Sequence, residues 1–144
     1  MSDVVLDASV IVKWVFPDRA QEADADRALG VLHAIRRGRL SVVEPPHWLA
    51  EVAAVVARLA PDRAREVVGL LYALEFPVVD DFELYQEAIR LSADSGQHVF
   101  DTLYHAVALC RAETLLVTAD ERYYRRAGRA GHVRLLKDLE VPTR

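Results

Sequence analysis

The sequence predicts an α/β domain of three layers, with helices on both faces of a mostly parallel sheet of four to five strands. Short apolar runs alternate along the chain with longer segments of helical period. The run Thr114–Thr118 (TLLVT) is continuously apolar at its centre, as strands buried on both faces are. At 144 residues the chain suits one compact domain spanning residues 1–144 and is too short for two.

Taken in order, VVL at Val4–Leu6 reads as a short buried strand ending at Asp7. SVIVKWVF lacks alternation and predicts a short helix stopped before Pro17. Asp18 to Arg37 carries Ala, Leu and charge at helical spacing and is closed by Gly38. LSVVEPP is a second strand, which its two prolines terminate. Trp48, Val52, Val55 and Leu59 mark an amphipathic helix. Pro61 suits the first turn of the next helix, running to about Leu74. FPVVD is a third strand candidate, and Asp81 to Ser95 is a helix ended by Gly96. Phe100 to Arg111 is apolar almost all round, which predicts a central, buried helix. TLLVT then leads through Ala119-Asp120 into a short basic helix, and VRLL supplies an edge strand.

The composition, 52% hydrophobic and 28% charged, is that of ordinary globular material. No apolar run approaches the length of a membrane span, and Asp3 and Asp7 interrupt the place of a signal peptide. A cytoplasmic protein without membrane association is expected. Cys110 is the only cysteine, which excludes an intrachain disulfide and a cysteine-based zinc site. A net charge of -4 argues against a general nucleic-acid coat protein but not against a nuclease, whose acidic centre holds cations. Between Glu121 and Lys137, however, six basic residues face one acid. Arg122, Arg125 and Arg126 follow Asp120 directly, as a backbone-holding surface or as an exposed solvated helix.

Four carboxylates define the candidate chemistry. Asp7 and Asp120 fall at the carboxyl ends of predicted strands, where open α/β sheets bind ligands. Each has a second reading as a helix N-cap. Glu51 lies on the edge of an apolar helical stripe, as a ligand or as a side chain reaching for water. Asp101 opens an otherwise apolar helix, where an unpaired buried carboxylate is expensive unless the helix N-terminus favours it. His105, one turn on, is either its hydrogen-bond partner or a polar residue at the helix surface. Four converging acids raise each other's pKa, and a hard cation resolves the conflict. An oxygen-only donor set selects Mg²⁺ or Mn²⁺ over Zn²⁺.

The stretches LDASVIVKW (Leu6–Trp14), EPPHWLAEVAAVV (Glu44–Val56), FDTLYHAVAL (Phe100–Leu109) and TADERYYRRA (Thr118–Ala127) resemble, in order and spacing, the PIN-domain ribonucleases, in particular VapC-type toxins. The resemblance implies a three-layer PIN-like fold and an endoribonuclease dependent on Mg²⁺ or Mn²⁺. Asp7, Glu51, Asp101 and Asp120 are then both the catalytic residues and the metal ligands. By the same route Ser9 and Thr118 orient carboxylates or substrate, unless they only cap the helices that follow. A homodimer and a small VapB-like antitoxin are implied as partners, with Trp14 or Phe16 lining the antitoxin's groove. Two departures stand out: Ala54 replaces an Asn common three residues after the glutamate, and Thr102 replaces a common Ala.

A non-catalytic PIN-like module that binds RNA or protein is the main alternative; retention of all four acids speaks against it. A haloacid-dehalogenase-like phosphatase needs an Asp where Ser9 stands. A receiver domain needs a Lys after a late strand, where Thr118-Ala119-Asp120 stands instead.

Overall fold

A computed structural model describes residues 3–19 and 22–142. Strand β1 (Asp3–Leu6) leads directly into helix α1 (Ala8–Val15). A 3-10 turn at Pro17–Arg19 precedes α2 (Glu22–Arg36). The helix expected over 18–37 is thus a 3-10 turn at its start, and its residues 20–21 lie outside the described residues. Gly38, at φ +72, adopts the left-handed conformation that closes α2. Strand β2 (Ser41–Val42) is followed by α3 (Trp48–Leu59), α4 (Ala64–Tyr72), α5 (Phe82–Ser95) and α6 (Val99–Leu109). Strand β3 (Thr114–Thr118), helix α7 (Glu121–Ala127) and strand β4 (Val133–Leu135) complete the order.

All four strands are parallel, in the order β2-β1-β3-β4. From β1 the chain first builds outward to β2, then crosses back to place β3 on β1's other side. The carboxyl ends of β1 and β3 therefore flank the topological switch point, where such sheets bind ligands. The register sets Leu6 against Val117, so Asp7 emerges beside Thr118.

Helix α6 packs over β1 and β3, and α1 also contacts both strands, giving the three-layer α/β/α arrangement of the expected fold. Every residue from Thr102 to Ala108 is buried, as the all-round apolar pattern of this helix requires. Of the two polar exceptions, Thr102 and His105, Thr102 donates from Oγ1 to the carbonyl of Ala88 at 2.8 Å, so its burial is satisfied. Val5, Leu6, Val10, Ile11, Val52 and Val107 sit at the centre of the core, fully buried.

Two local expectations change. The FPVVD segment is not a strand; it makes one parallel bridge, Glu44 to Val78. Pro77 has no N–H to give a ladder, so only its carbonyl and the Val79 N–H pair with Glu44. Pro61 precedes rather than opens α4, whose first residue is Ala64. Among the described residues no helix is long and apolar enough to cross a membrane.

Candidate active site

Asp7 leaves the end of β1 and caps α1, accepting from the Ser9 N–H at 3.1 Å and from the Ser9 hydroxyl. Its other carboxylate oxygen accepts from Thr118 Oγ1 at 2.5 Å. The two hydroxyls are anchored in turn. Ser9 Oγ accepts from the Ala119 N–H at 2.9 Å, and Thr118 Oγ1 from the Asp120 N–H at 3.0 Å. Ser9 and Thr118 thereby stitch the end of β1 to the turn that carries Asp120. Both readings of Asp7 hold together: it caps, and it faces the other acids.

Although part of Asp7 reaches the surface, its carboxyl is enclosed, and burial lifts its pKa from 3.8 to about 6. The bonds from Ser9 and Thr118 oppose that rise; Asp120 and Asp101 add to it. Asp120 caps α7 through the Tyr123 N–H at 3.0 Å and is exposed. Asp101 lies in the first turn of α6, and no described residue donates a hydrogen bond to its carboxylate. Burial raises its pKa and Asp120 raises it further, against the pull of His98 and His47. Glu51 is half-buried on α3 and accepts from Tyr104 Oη at 3.1 Å. Burial pushes its pKa up too, and Asp101 and Asp7 contribute in the same direction.

The four sequence-predicted acids are therefore brought within electrostatic reach of one another at the switch point. They do not form a closed cage: among the described residues no group of three or more His, Cys, Asp or Glu side chains is already placed to hold a metal ion. The donor chemistry nonetheless fits a hard divalent cation. The donors are all oxygen, Asp101 has no hydrogen-bond partner among the described residues, and pKa values raised by burial and by neighbouring acids fall when a cation enters. Mg²⁺ held by few carboxylates retains waters, so a closed protein cage is not required.

His105 is not the partner of Asp101. It is fully buried, with Nδ1 2.9 Å from Tyr123 Oη and Nε2 2.6 Å from the Gly131 carbonyl. The pair fixes the ring: Nε2–H donates to the carbonyl and Nδ1 accepts from the tyrosine. Burial lowers its pKa, consistent with the neutral form. Its contribution is to hold Tyr123, whose own hydroxyl lies within reach of the charges of Asp101, Asp7 and Asp120. Arg122, Arg125 and Arg126 are exposed on α7. Ala54 is also exposed, so the amide missing there leaves no buried gap.

Sequence reasoning missed three neighbours of the site. Tyr104 holds Glu51. His47 packs at a tilt of 55° against Tyr104, with ring centroids 4.8 Å apart, and bonds through Nε2 to the Phe100 carbonyl at 2.7 Å. Glu44 is wholly buried where β2 turns away from β1, and its Oε1 accepts the Leu6 N–H at 2.8 Å that β2 no longer pairs. The signal was present: Glu44 follows the apolar run of β2 just as Asp7 follows β1.

Glu44 Oε2 has no hydrogen-bond partner among the described residues, and burial pushes its pKa well above the usual carboxylate range, disfavouring the charged form. Glu44→Gln is expected to melt no lower than the parent at neutral pH, because the amide carbonyl still accepts from Leu6. Glu44→Ala, which strands that N–H, is expected to lose about 1–3 kcal/mol. Equal losses for the two variants in thermal melts would show that the charge itself is needed.

Set beside known proteins, residues 4–129 match the PIN domain family. No curated protein matches the chain in sequence. The fold is shared with a chain of the VapBC2 complex from Rickettsia felis, solved bound to a DNA fragment from its promoter. The TM-score is 0.68 at 12% identity, covering 92% of this chain and 98% of that one. It is likewise shared with a chain of the DNA-bound VapBC from Salmonella typhimurium, with a TM-score of 0.61 at 18% identity, covering 94% and 97%. A family match across most of the length settles the affiliation: the chain belongs to the PIN-domain family.

Proposed function

We propose that this chain is a divalent-metal-dependent endoribonuclease and the toxin of a toxin–antitoxin pair. The observation that carries the proposal is the convergence of Asp7, Glu51, Asp101 and Asp120 at the switch point, with the Asp101 carboxylate unpartnered among the described residues. Asp7, Asp101 and Asp120 would hold Mg²⁺ or Mn²⁺, with Glu51 bound directly or through water. When bound, the cation supplies a water of lowered pKa and neutralises charge at the scissile phosphate.

The chain's own residues do the positioning. Ser9 and Thr118 fix the plane of the Asp7 carboxylate, and Tyr104 fixes Glu51. A carboxylate of the cluster would take the proton of the attacking water, whose oxygen bonds to phosphorus as the P–O3′ bond breaks; the departing 3′-oxygen takes a proton from solvent, leaving a 3′-hydroxyl and a 5′-phosphate. Arg122, Arg125 and Arg126 contact the RNA backbone beside Asp120. A purely binding role leaves the enclosure of Asp7 without a use, since its raised pKa destabilises the fold at neutral pH.

The complexes that share this fold pair a toxin chain with an antitoxin, which supports a VapB-like partner here. A groove of about 460 Å³ lies between Trp14, Leu32, Val67, Leu70 and Leu74, with Arg36 and Arg63 among its walls. It suits an apolar segment of acidic character. Trp14, whose indole donates to the Ala28 carbonyl at 2.8 Å, forms a fixed wall of it.

We also propose a homodimer. Phe82, Tyr85 and Ile89 repeat at helical spacing on the exposed side of α5, with Ile89 at 59% exposure. Ile89→Glu is expected to convert a dimeric mass in light scattering to a monomeric one. An unchanged mass moves the interface elsewhere.

The test of function is cleavage of RNA by the purified chain with Mg²⁺ or Mn²⁺, with and without chelator. Cleavage that survives chelation, or no cleavage under either ion, rejects the metal-nuclease assignment. Growth arrest on expression, relieved by co-expressing the neighbouring gene's product, separates a toxin from a housekeeping nuclease.

A further inference from the structure

The ladder between β1 and β2 breaks off where the site begins. Val4 pairs with Val42, and its carbonyl accepts from the Val43 N–H at 3.0 Å. The next rung of a parallel ladder would join Leu6 to the carbonyl of Val43 and the N–H of residue 45. Residue 45 is a proline and has no N–H to give. Pro46 follows it, and the chain turns away to start α3 at Trp48. The backbone of Glu44 pairs outward instead: its N–H donates to the Pro77 carbonyl and its carbonyl accepts from the Val79 N–H, each at 2.9 Å. Its side chain reaches back the other way, where Oε1 accepts the Leu6 N–H at 2.8 Å. A fully buried side chain thus replaces the missing main-chain rung.

That rung holds the last residue before Asp7. On the β3 side the end of β1 is tied by Ser9 and Thr118, which grip the Asp7 carboxylate itself. On the β2 side, among the described residues, the hydrogen-bonded tie beyond Val4 is the bond from Leu6 to Glu44. Glu44 also begins the short path through Pro45 and Pro46 to α3, which carries Glu51. Two successive prolines fix φ twice and leave that path little freedom. Asp7 and Glu51 both lie near enough for their charges to act on Glu44.

Resting on the metal-nuclease reading above, we propose that Glu44 is a positioning residue. Without touching the divalent cation, it holds the end of β1 against the start of α3, and so fixes Asp7 relative to Glu51. Mg²⁺ demands near-ideal octahedral placing of its oxygens, so a shift of one carboxylate against another weakens its hold. The role needs an acceptor at Oε1 and no negative charge.

The test measures Mn²⁺ binding to the full chain by electron paramagnetic resonance, with no RNA present. Glu44→Met keeps the shape and burial of the side chain and removes the acceptor; it is expected to weaken Mn²⁺ binding about tenfold to a hundredfold, as loss of a group that orients a ligand does. Glu44→Leu takes its place if the Met variant does not melt cooperatively. Glu44→Gln keeps a carbonyl oxygen for the Leu6 N–H and is expected to bind Mn²⁺ as the parent does. Val31→Ala, which opens a space in the buried side of α2, is the control for general loosening: it is expected to melt earlier and keep the parent's affinity.

A Met or Leu variant that binds Mn²⁺ as tightly as the parent overturns the positioning role and leaves the metal-nuclease reading intact. So does a Gln variant that loses as much affinity as the Met variant, since the acid and not the rung is then what matters. Equal loss in Val31→Ala overturns it as well, by making the effect one of stability alone. A parent protein that binds no Mn²⁺ overturns the positioning role and the metal-nuclease reading together.

Discussion

Asp101→Asn is expected to reduce metal-dependent RNA cleavage by on the order of a thousandfold while leaving the protein folded. Removing one metal ligand forfeits several kcal/mol of transition-state stabilisation, and each 1.4 kcal/mol is about a factor of ten. The structural side of the prediction follows from what Asp101 lacks. No described residue donates to its carboxylate, so an isosteric amide breaks no bond. Removing its charge also relieves Asp7 and Glu51, whose pKa values it helps to raise. The melting temperature of the metal-free variant should therefore equal or exceed the parent's, and its shift on adding Mn²⁺ should vanish. A variant that melts normally and still cuts RNA would remove Asp101 from the site. A variant that fails to melt cooperatively would mean that the carboxylate is structural.

The sheet was legible because its strands are short, apolar and bounded by turn residues, and α6 because it is apolar on every face. What misled was Pro77. The run FPVVD has the composition of a strand, but its proline denies the ladder a donor, and a single bridge to Glu44 remains. The acids were legible as a set because two follow strands and one opens an apolar helix. Their supports were not. Spacing within a helix set His105 one turn beyond Asp101, yet its ring is taken by Tyr123 and Gly131, residues far along the chain. Tyr104 was invisible for the same reason, since its bond to Glu51 joins α6 to α3. Glu44 stands in plain view after an apolar run, but its pairing with Leu6, in a strand it does not belong to, does not. Contacts across the fold have no period in the sequence.

Asp7→Asn is expected to stabilise the metal-free protein at neutral pH even as it destroys the site. Burial and the neighbouring acids raise the Asp7 pKa from 3.8 to about 6, so the folded state binds a proton more tightly than the unfolded chain does. The sign follows directly. The stability contributed by protonated Asp7 is fully present below pH 3.8 and is lost as the pH rises through about 6. The difference corresponds to on the order of 3 kcal/mol, or roughly 5–10 °C in melting temperature for a chain of this size. An amide does not titrate and escapes that loss. It gives back part of the gain, because its NH₂ replaces an oxygen that accepts from Ser9 or Thr118. In chelator, the melting temperature of the parent should fall between about pH 4 and pH 7 more steeply than that of Asp7→Asn. Glu44 contributes a slope of the same sign to both proteins, smaller in Asp7→Asn because the Asp7 charge is among the groups that raise its pKa, so it adds to the difference. Parallel curves would mean that Asp7 is not held at a raised pKa. Convergence of the two only when Mn²⁺ is added would tie the instability to the charge that the cation is there to neutralise. A carboxylate kept at a loss in the empty fold is then accounted for by what it binds.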